Sequence, residues 1–247
     1  MRKLLFFLFA LLLALPAAAM DVPILMYHHF TETDTGLPDR CSAEAFRTHL
    51  EALTAAGYTS VSFRQLLDWA DGTGTLPEKP VILTSDDGYR SVLDIALPLL
   101  QEYGMTMSVA VVGSRLGSAD GIPHFSLDDA AGSGLELLSH TWDLHGPAGC
   151  GVLTPAGTMD PRLPADIARM RQIPELAADV FVYPYGKFTP DTDALLSAFG
   201  YRITVTTRYG IADVRQGKQD TLRLLPRIPM DGNGDLSWIQ NSTGRMP

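Results

Sequence analysis

The sequence predicts an α/β domain whose parallel strands close, or nearly close, into a (β/α) barrel of seven or eight strands. Three observations carry that expectation. Apolar and β-branched runs alternate with helical patterns along nearly the whole 247-residue chain, as parallel pairing requires. About eight such runs fall within about 225 residues, the scale of a closed barrel. Adjacent carboxylates and a histidine end two of the runs, and the C-terminal ends of strands are where α/β folds carry their chemistry. An open doubly wound sheet is the alternative, although neither Gly113 nor Gly117 stands in a dinucleotide-binding G-x-G-x-x-G.

Taken in order, Met1-Arg2-Lys3, the apolar stretch Leu4 to Leu15 and Ala17-Ala18-Ala19 have the layout of a secretory leader. The expected products are a leader over 1–19 and an exported domain over 20–247, secreted, periplasmic or at the cell surface. Retention by an uncut leader is the alternative, the apolar stretch being short for a membrane span. Strands are predicted near residues 23–28, 59–62, 81–85, 107–112, 135–139, 180–183, 202–206 and 222–228. Ser42 opens a helix with Phe46, Leu50 and Leu53 on one face, stopping before Gly57. Ser62 and Gln65 form a capping box for a helix through Trp69. Val92, Ile95, Ala96 and Leu99 make a third helix, kinked at Pro98, and Thr189-Pro190 starts a fourth that ends at Gly200. Segments 113–134 and 146–164 read as long loops framing the C-terminal face of a barrel. Trp238 and Ile239 are expected to pin the tail.

Hydrophobic residues at 46% and charged residues at 19% indicate a chain with a large core. The formal charge is −9, and removing Arg2 and Lys3 with the leader leaves 17 basic residues against 28 acidic ones. Such a surface excludes nucleic acid and polyanionic polymers as natural partners and suits neutral or cationic ones. No stable protein partner is expected. Cys41 and Cys150 allow one disulfide or two thiols.

Asp86 and Asp87 end the run Val81-Ile82-Leu83-Thr84-Ser85, and His140 ends Leu135-Glu136-Leu137-Leu138-Ser139, with His145 five residues on. Two imidazoles and a carboxylate on one face suit zinc or a similar divalent metal, with three protein ligands and one open position. Among the other histidines, His49 reads as a surface or packing residue and His124 as part of a solvated turn. Tyr89 reads as core. Trp142, between the two histidines, either stacks on a ring of the substrate or packs beneath the metal site.

Thr84-Ser85-Asp86-Asp87-Gly88 with His140 and His145 resembles the polysaccharide deacetylase (NodB-homology) domain of carbohydrate esterase family 4. That family's motifs read T-F-D-D-G and H-[ST]-x-x-H, so Ser85 and one extra residue between the histidines are departures. The longer spacing and Met26-Tyr27-His28-His29 look like the poly-β-1,6-N-acetylglucosamine deacetylase branch, and Phe181-Val182-Tyr183-Pro184-Tyr185-Gly186 is a third match. The resemblance extends from about Val22 to Met230. It implies a metal-dependent hydrolase removing N-acetyl groups from a β-linked N-acetylglucosamine polymer. Asp87, His140 and His145 would bind Zn²⁺ or another divalent transition metal, Asp86 would be the general base, and the Tyr185 backbone N–H would hold the oxyanion. Val182 stands where the family has an arginine that orients the aspartate; Arg227 is the candidate replacement. The family usually places an acid histidine near the last strand, but none follows His145 here. First and last strands are neighbours in a barrel, and the resemblance favours His28, at the end of the first strand, as general acid, with Asp231 a weaker one and His29 assigned a structural hydrogen bond. Tyr185 is also the best aromatic candidate for touching substrate. The competing readings are an O-acetyl esterase on xylan-like glycans, a glycosidase, which leaves the histidines without a role, and an inactive carbohydrate-binding homologue.

Overall fold

The computed structural model describes residues 18–146, 148–230, 234 and 236–241. Nearly all of the expected leader and Asp231 therefore lie outside the described residues. Seven parallel strands form the barrel: β1 (Ile24–Tyr27), β2 (Pro80–Ser85), β3 (Ser108–Val111), β4 (Glu136–Ser139), β5 (Leu176–Val182), β6 (Ile203–Tyr209) and β7 (Leu225–Pro229). The order β1-β7-β6-β5-β4-β3-β2 is closed by β2 pairing with β1, Leu25 opposite Leu83.

Closure at seven strands corrects one expectation. Residues 59–62 were predicted to contribute a strand, but only Thr59–Ser60 pairs, on the outer flank of β2 at Pro80 and Val81. The chain leaves the sheet there because Ser62 already caps a helix. Two small sheets lie outside the barrel, Ala19–Val22 with Ala212–Arg215 and His29–Thr31 with Arg40–Ser42.

The helices follow from their caps. Helix α1 (Ala43–Ala55) starts where Ser42 accepts from Ala45 N–H, and α2 (Phe63–Ala70) starts with the Ser62–Gln65 capping box. A π-helical turn, Val92–Ala96, runs into α3 (Leu97–Glu102) and takes up the irregularity that Pro98 imposes. Inside the first long loop, α4 (Leu127–Ala130) is capped by Ser126 and Asp129. Helix α5 (Leu163–Met170) was not predicted; Pro164 sits in its first turn, where a missing N–H costs nothing. Helix α6 (Pro190–Ala198) is capped by Thr189, and Ser237–Asn241 forms a last short helix whose Trp238 is buried against Tyr58. No helix of the described residues is long and apolar enough to cross a membrane.

Strand alternation divides the core in two. Leu25, Val81, Leu83, Val109, Val111 and Ile228 face outward under α1 and α3, while Ile24, Ile82, Ala110, Leu138, Val180 and Ile203 fill the barrel. Phe63, Leu66, Leu67 and Trp69 of α2 belong to the inner cluster. The first two N–H groups of α2 donate to Glu136, the first residue of β4, both at 2.9 Å. Helix α2 therefore stoppers the N-terminal end of the barrel and leaves the opposite end as the mouth. Cys41 is buried in the outer core, Cys150 lies in a loop, and the two form no disulfide.

His49 is a packing residue on α1, buried and paired with the Tyr27 hydroxyl at 3.1 Å. Burial pushes its imidazole down to about 4, against about 6.5 in an unfolded chain. Between those values the unfolded chain binds a proton that the folded chain excludes, so stability falls as pH drops through that window. His49→Gln is expected to remove this contribution. Urea unfolding across the pH range should show the unmodified protein losing about 2–3 kcal/mol more than the variant between pH 7 and pH 4.

Candidate active site

The mouth collects its chemistry from five strand ends. Asp86 and Asp87 follow β2, His140 and His145 follow β4, Tyr185 follows β5, Arg227 lies within β7, and His28 follows β1. The backbone bends sharply to aim them. Asp87, Thr141 and Tyr185 adopt positive φ (76°, 71° and 58°), and only Leu224 does so elsewhere among described non-glycine residues. Left-handed backbone is costly outside glycine, and such outliers cluster where geometry serves function. Gly186, also at positive φ, has no room for a side chain because a Cβ would run into Thr207 Oγ1.

Asp86 is almost fully buried and grips Arg227 through two hydrogen bonds, Nη1 to Oδ1 at 2.8 Å and Nη2 to Oδ2 at 2.7 Å. Arg227 is 0% exposed and spends its other donors on Thr84 Oγ1 and the Thr206 carbonyl. Burial alone would raise the Asp86 pKa, but the guanidinium outweighs it and holds the carboxyl well below the usual range. The Val182 side chain packs inside the barrel, and its carbonyl accepts from His140 Nδ1 at 2.8 Å.

That hydrogen bond settles a tautomer. A carbonyl only accepts, so His140 carries its proton on Nδ1 and turns the Nε2 lone pair toward Asp87. His145 is set the same way. The Tyr185 hydroxyl donates to the Gly146 carbonyl at 2.6 Å, which leaves its oxygen to accept from His145 Nδ1 at 3.2 Å. Both Nε2 atoms then face Asp87 Oδ1, at 3.9 and 3.1 Å, and this oxygen is buried with no hydrogen-bond donor among the described residues. The three potential ligand atoms lie within 4.8 Å of one another. Three acceptors converge on one point with no proton between them, an arrangement that a cation completes. Burial pushes His140 down to about 4 and lowers His145 as well, against the pull of the aspartates. Both imidazoles are therefore neutral, as ligands must be.

Two residues that sequence reasoning missed hold this cluster. Asp166 of α5 accepts from the backbone N–H groups of Trp142 and Asp143, at 2.7 and 2.8 Å, and so fixes the segment joining the two histidines. Burial raises the Asp166 pKa and these donors oppose the rise. Arg115 donates to the His145 carbonyl at 2.6 Å and lies 3.8 Å from Asp87 Oδ1. Trp142 packs against Gly113 and under the Arg169 guanidinium, which lies 3.7 Å from its ring centre, so it supports the site from beneath.

His29 takes a hydrogen-bond contact with Arg40 Nη1 at 3.0 Å and meets the Tyr89 ring edge-on. Tyr89 is half-buried beside Asp87 instead of sitting in the core, and burial and that carboxylate raise its pKa. His124 is not the solvated turn residue expected. Its ring lies against Tyr89 at 4.9 Å and both ring nitrogens are shielded. His28 stands half-buried at the mouth, its carbonyl accepting from Ser85 Oγ at 2.8 Å.

Comparison with known proteins gives one consistent result. Residues 73–204 match the family described as polysaccharide deacetylase. YxkH of Bacillus subtilis (strain 168) is 26% identical over 224 residues, covering 89% of this chain and 76% of that protein. The poly-β-1,6-N-acetyl-D-glucosamine N-deacetylase of Escherichia coli (strain K12) is 29% identical over 231 residues. That match covers 78% of this chain, which spans about a third (34%) of the E. coli protein. Among solved structures, a de-N-acetylase from Aggregatibacter actinomycetemcomitans superposes with a TM-score of 0.72 at 23% identity, over 90% of this chain and 99% of that one. This last likeness speaks for the fold.

Proposed function

Because the chain belongs to the polysaccharide deacetylase family, we propose that it hydrolyses N-acetyl groups of a β-linked N-acetylglucosamine polymer, using a divalent metal held by Asp87, His140 and His145. The observation that carries this reading is the buried, unpartnered Asp87 Oδ1 facing two imidazole lone pairs. The E. coli relative's substrate supports the choice of polymer. Zinc is the first choice of metal for one carboxylate and two imidazoles. A cation there supplies a Lewis acid for the acetyl carbonyl and acidifies water.

The chain's own groups supply the rest. Asp86, kept ionised by Arg227, takes the proton of the attacking water, a contribution of about 10²–10⁴-fold for a positioned base. The Tyr185 backbone N–H, which no described residue accepts from, is free to donate to the developing oxyanion, a role typically giving about 10²–10³-fold. His28, close enough for its charge to be felt at Asp86, returns a proton to the departing amine. The leader-like layout of residues 1–19 supports an exported protein meeting its polymer outside the cytoplasm.

Acetate release tests the proposal, measured on N-acetylglucosamine oligomers and on acetylated xylan, with zinc and after chelation. Metal-dependent release from the amino-sugar oligomers is the expected result; release from xylan alone would make the protein an esterase. Asp166→Ala removes the acceptor of two backbone N–H groups and loosens the span between the histidines. Zinc affinity in a chelator competition is expected to fall about 10–100-fold, the usual cost of losing a group that orients ligands.

A further inference from the structure

Among the described residues three large apolar side chains are exposed, Leu37, Tyr185 and Tyr209. All three belong to segments at the C-terminal ends of barrel strands: the loop after β1, the turn after β5 and the end of β6. Tyr185 is committed to Gly146 and His145. Tyr209, 63% exposed, makes no side-chain hydrogen bond or ring contact with a described residue. A solvated ring of that size contributes little to folding, so its position calls for another account.

Its placement is built into the site. Tyr209 is the ladder partner of Arg227, one strand spacing away, and partners in neighbouring strands project from the same face of the sheet. From that face Arg227 reaches inward to Asp86. Four steps along β6, from Val205 to Tyr209, span the length of two steps along β7, from Leu225 to Arg227. The extra length lies between Val205 and Tyr209, and within that stretch the Thr206 carbonyl accepts from Arg227 Nε at 2.9 Å. Bulges beside active sites re-aim side chains. The arginine that holds the catalytic carboxylate thus has the exposed Tyr209 as its partner on the neighbouring strand.

We propose that Tyr209 is the stacking platform of a subsite for a sugar ring adjacent, along the same glycan, to the one losing its acetyl group. This rests on the amino-sugar polymer reading above. A β-linked pyranose with equatorial substituents offers a face of axial C–H groups, which suits the negative π face of an exposed aromatic ring. A rigid tyrosine also binds at low entropic cost.

The test is kcat/KM for acetate release along a ladder of β-linked N-acetylglucosamine oligomers, from dimer to hexamer, for the zinc-loaded full chain, Y209A and Y209F. Longer oligomers are expected to be better substrates for the unmodified protein. That gain should shrink about three- to tenfold in Y209A, through KM, and persist in Y209F, which keeps the ring. Circular dichroism of the variants checks folding, which an exposed position leaves intact. An equal gain with length in all three proteins would overturn the subsite alone. No turnover of any amino-sugar oligomer by the unmodified chain, with acetyl esters hydrolysed, would overturn the substrate reading and the subsite with it.

Discussion

Replacing Arg227 by methionine is expected to lower folding stability by about 3–5 kcal/mol, the cost of leaving one member of a buried ion pair without its partner. Arg227 is fully buried and makes four hydrogen bonds, two of them to Asp86. The loss has a pH signature. Asp86 is held below its ordinary range, so the stability that the pair contributes is present above the unfolded value of about 3.9 and is lost as pH falls through the folded value. Without the guanidinium, burial dominates and Asp86 titrates upward. The acid limb of the kcat/KM profile should therefore move to higher pH in R227M. The double variant D86N/R227M, which buries no unpaired charge, should recover most of the stability. Denaturant unfolding of the unmodified protein and the two variants decides the matter, and equal stability of R227M and the unmodified protein would refute the pair's importance.

Asp86→Asn should lower kcat by about 10²–10⁴-fold, the range of a positioned general base. An amide keeps the shape and loses the basic lone pair. Zinc affinity should hold, because the candidate metal cluster contains Asp87 and not its neighbour. Parallel measurements of acetate release and zinc competition separate the two roles of the adjacent carboxylates. A matching fall in metal affinity would place Asp86 among the ligands instead.

Much of this was legible in the sequence because it is local. Alternating runs and caps at Ser42, Ser62 and Thr189 gave the barrel and three helices, and Asp86, Asp87 and His140 stood out as polar ends of apolar strands. Arg227 could be reached by asking what replaces an arginine at Val182, since a closed barrel leaves few other strands to supply one. What escaped depends on contacts distant in sequence. Asp166 acts by accepting from two backbone N–H groups more than twenty residues away, and its helix hides behind Pro164. His124 and Tyr89 read as turn and core because nothing in their neighbours announces that the loop folds back over Asp87. The run at 59–62 pairs only at Thr59–Ser60 for the same reason, since it gives way to a helix whose apolar face closes the N-terminal end of the barrel.

The positive backbone angles at Asp87, Thr141 and Tyr185 also say something about how such a protein ages under selection. Each costs about 1–2 kcal/mol that glycine at the same position would not incur. For a copy released from its task, glycine at Asp87 relieves this strain and removes a buried carboxylate, so the mouth should erode before the barrel. A screen of random variants for heat resistance alone should enrich Asp87→Gly and return stable, inert barrels.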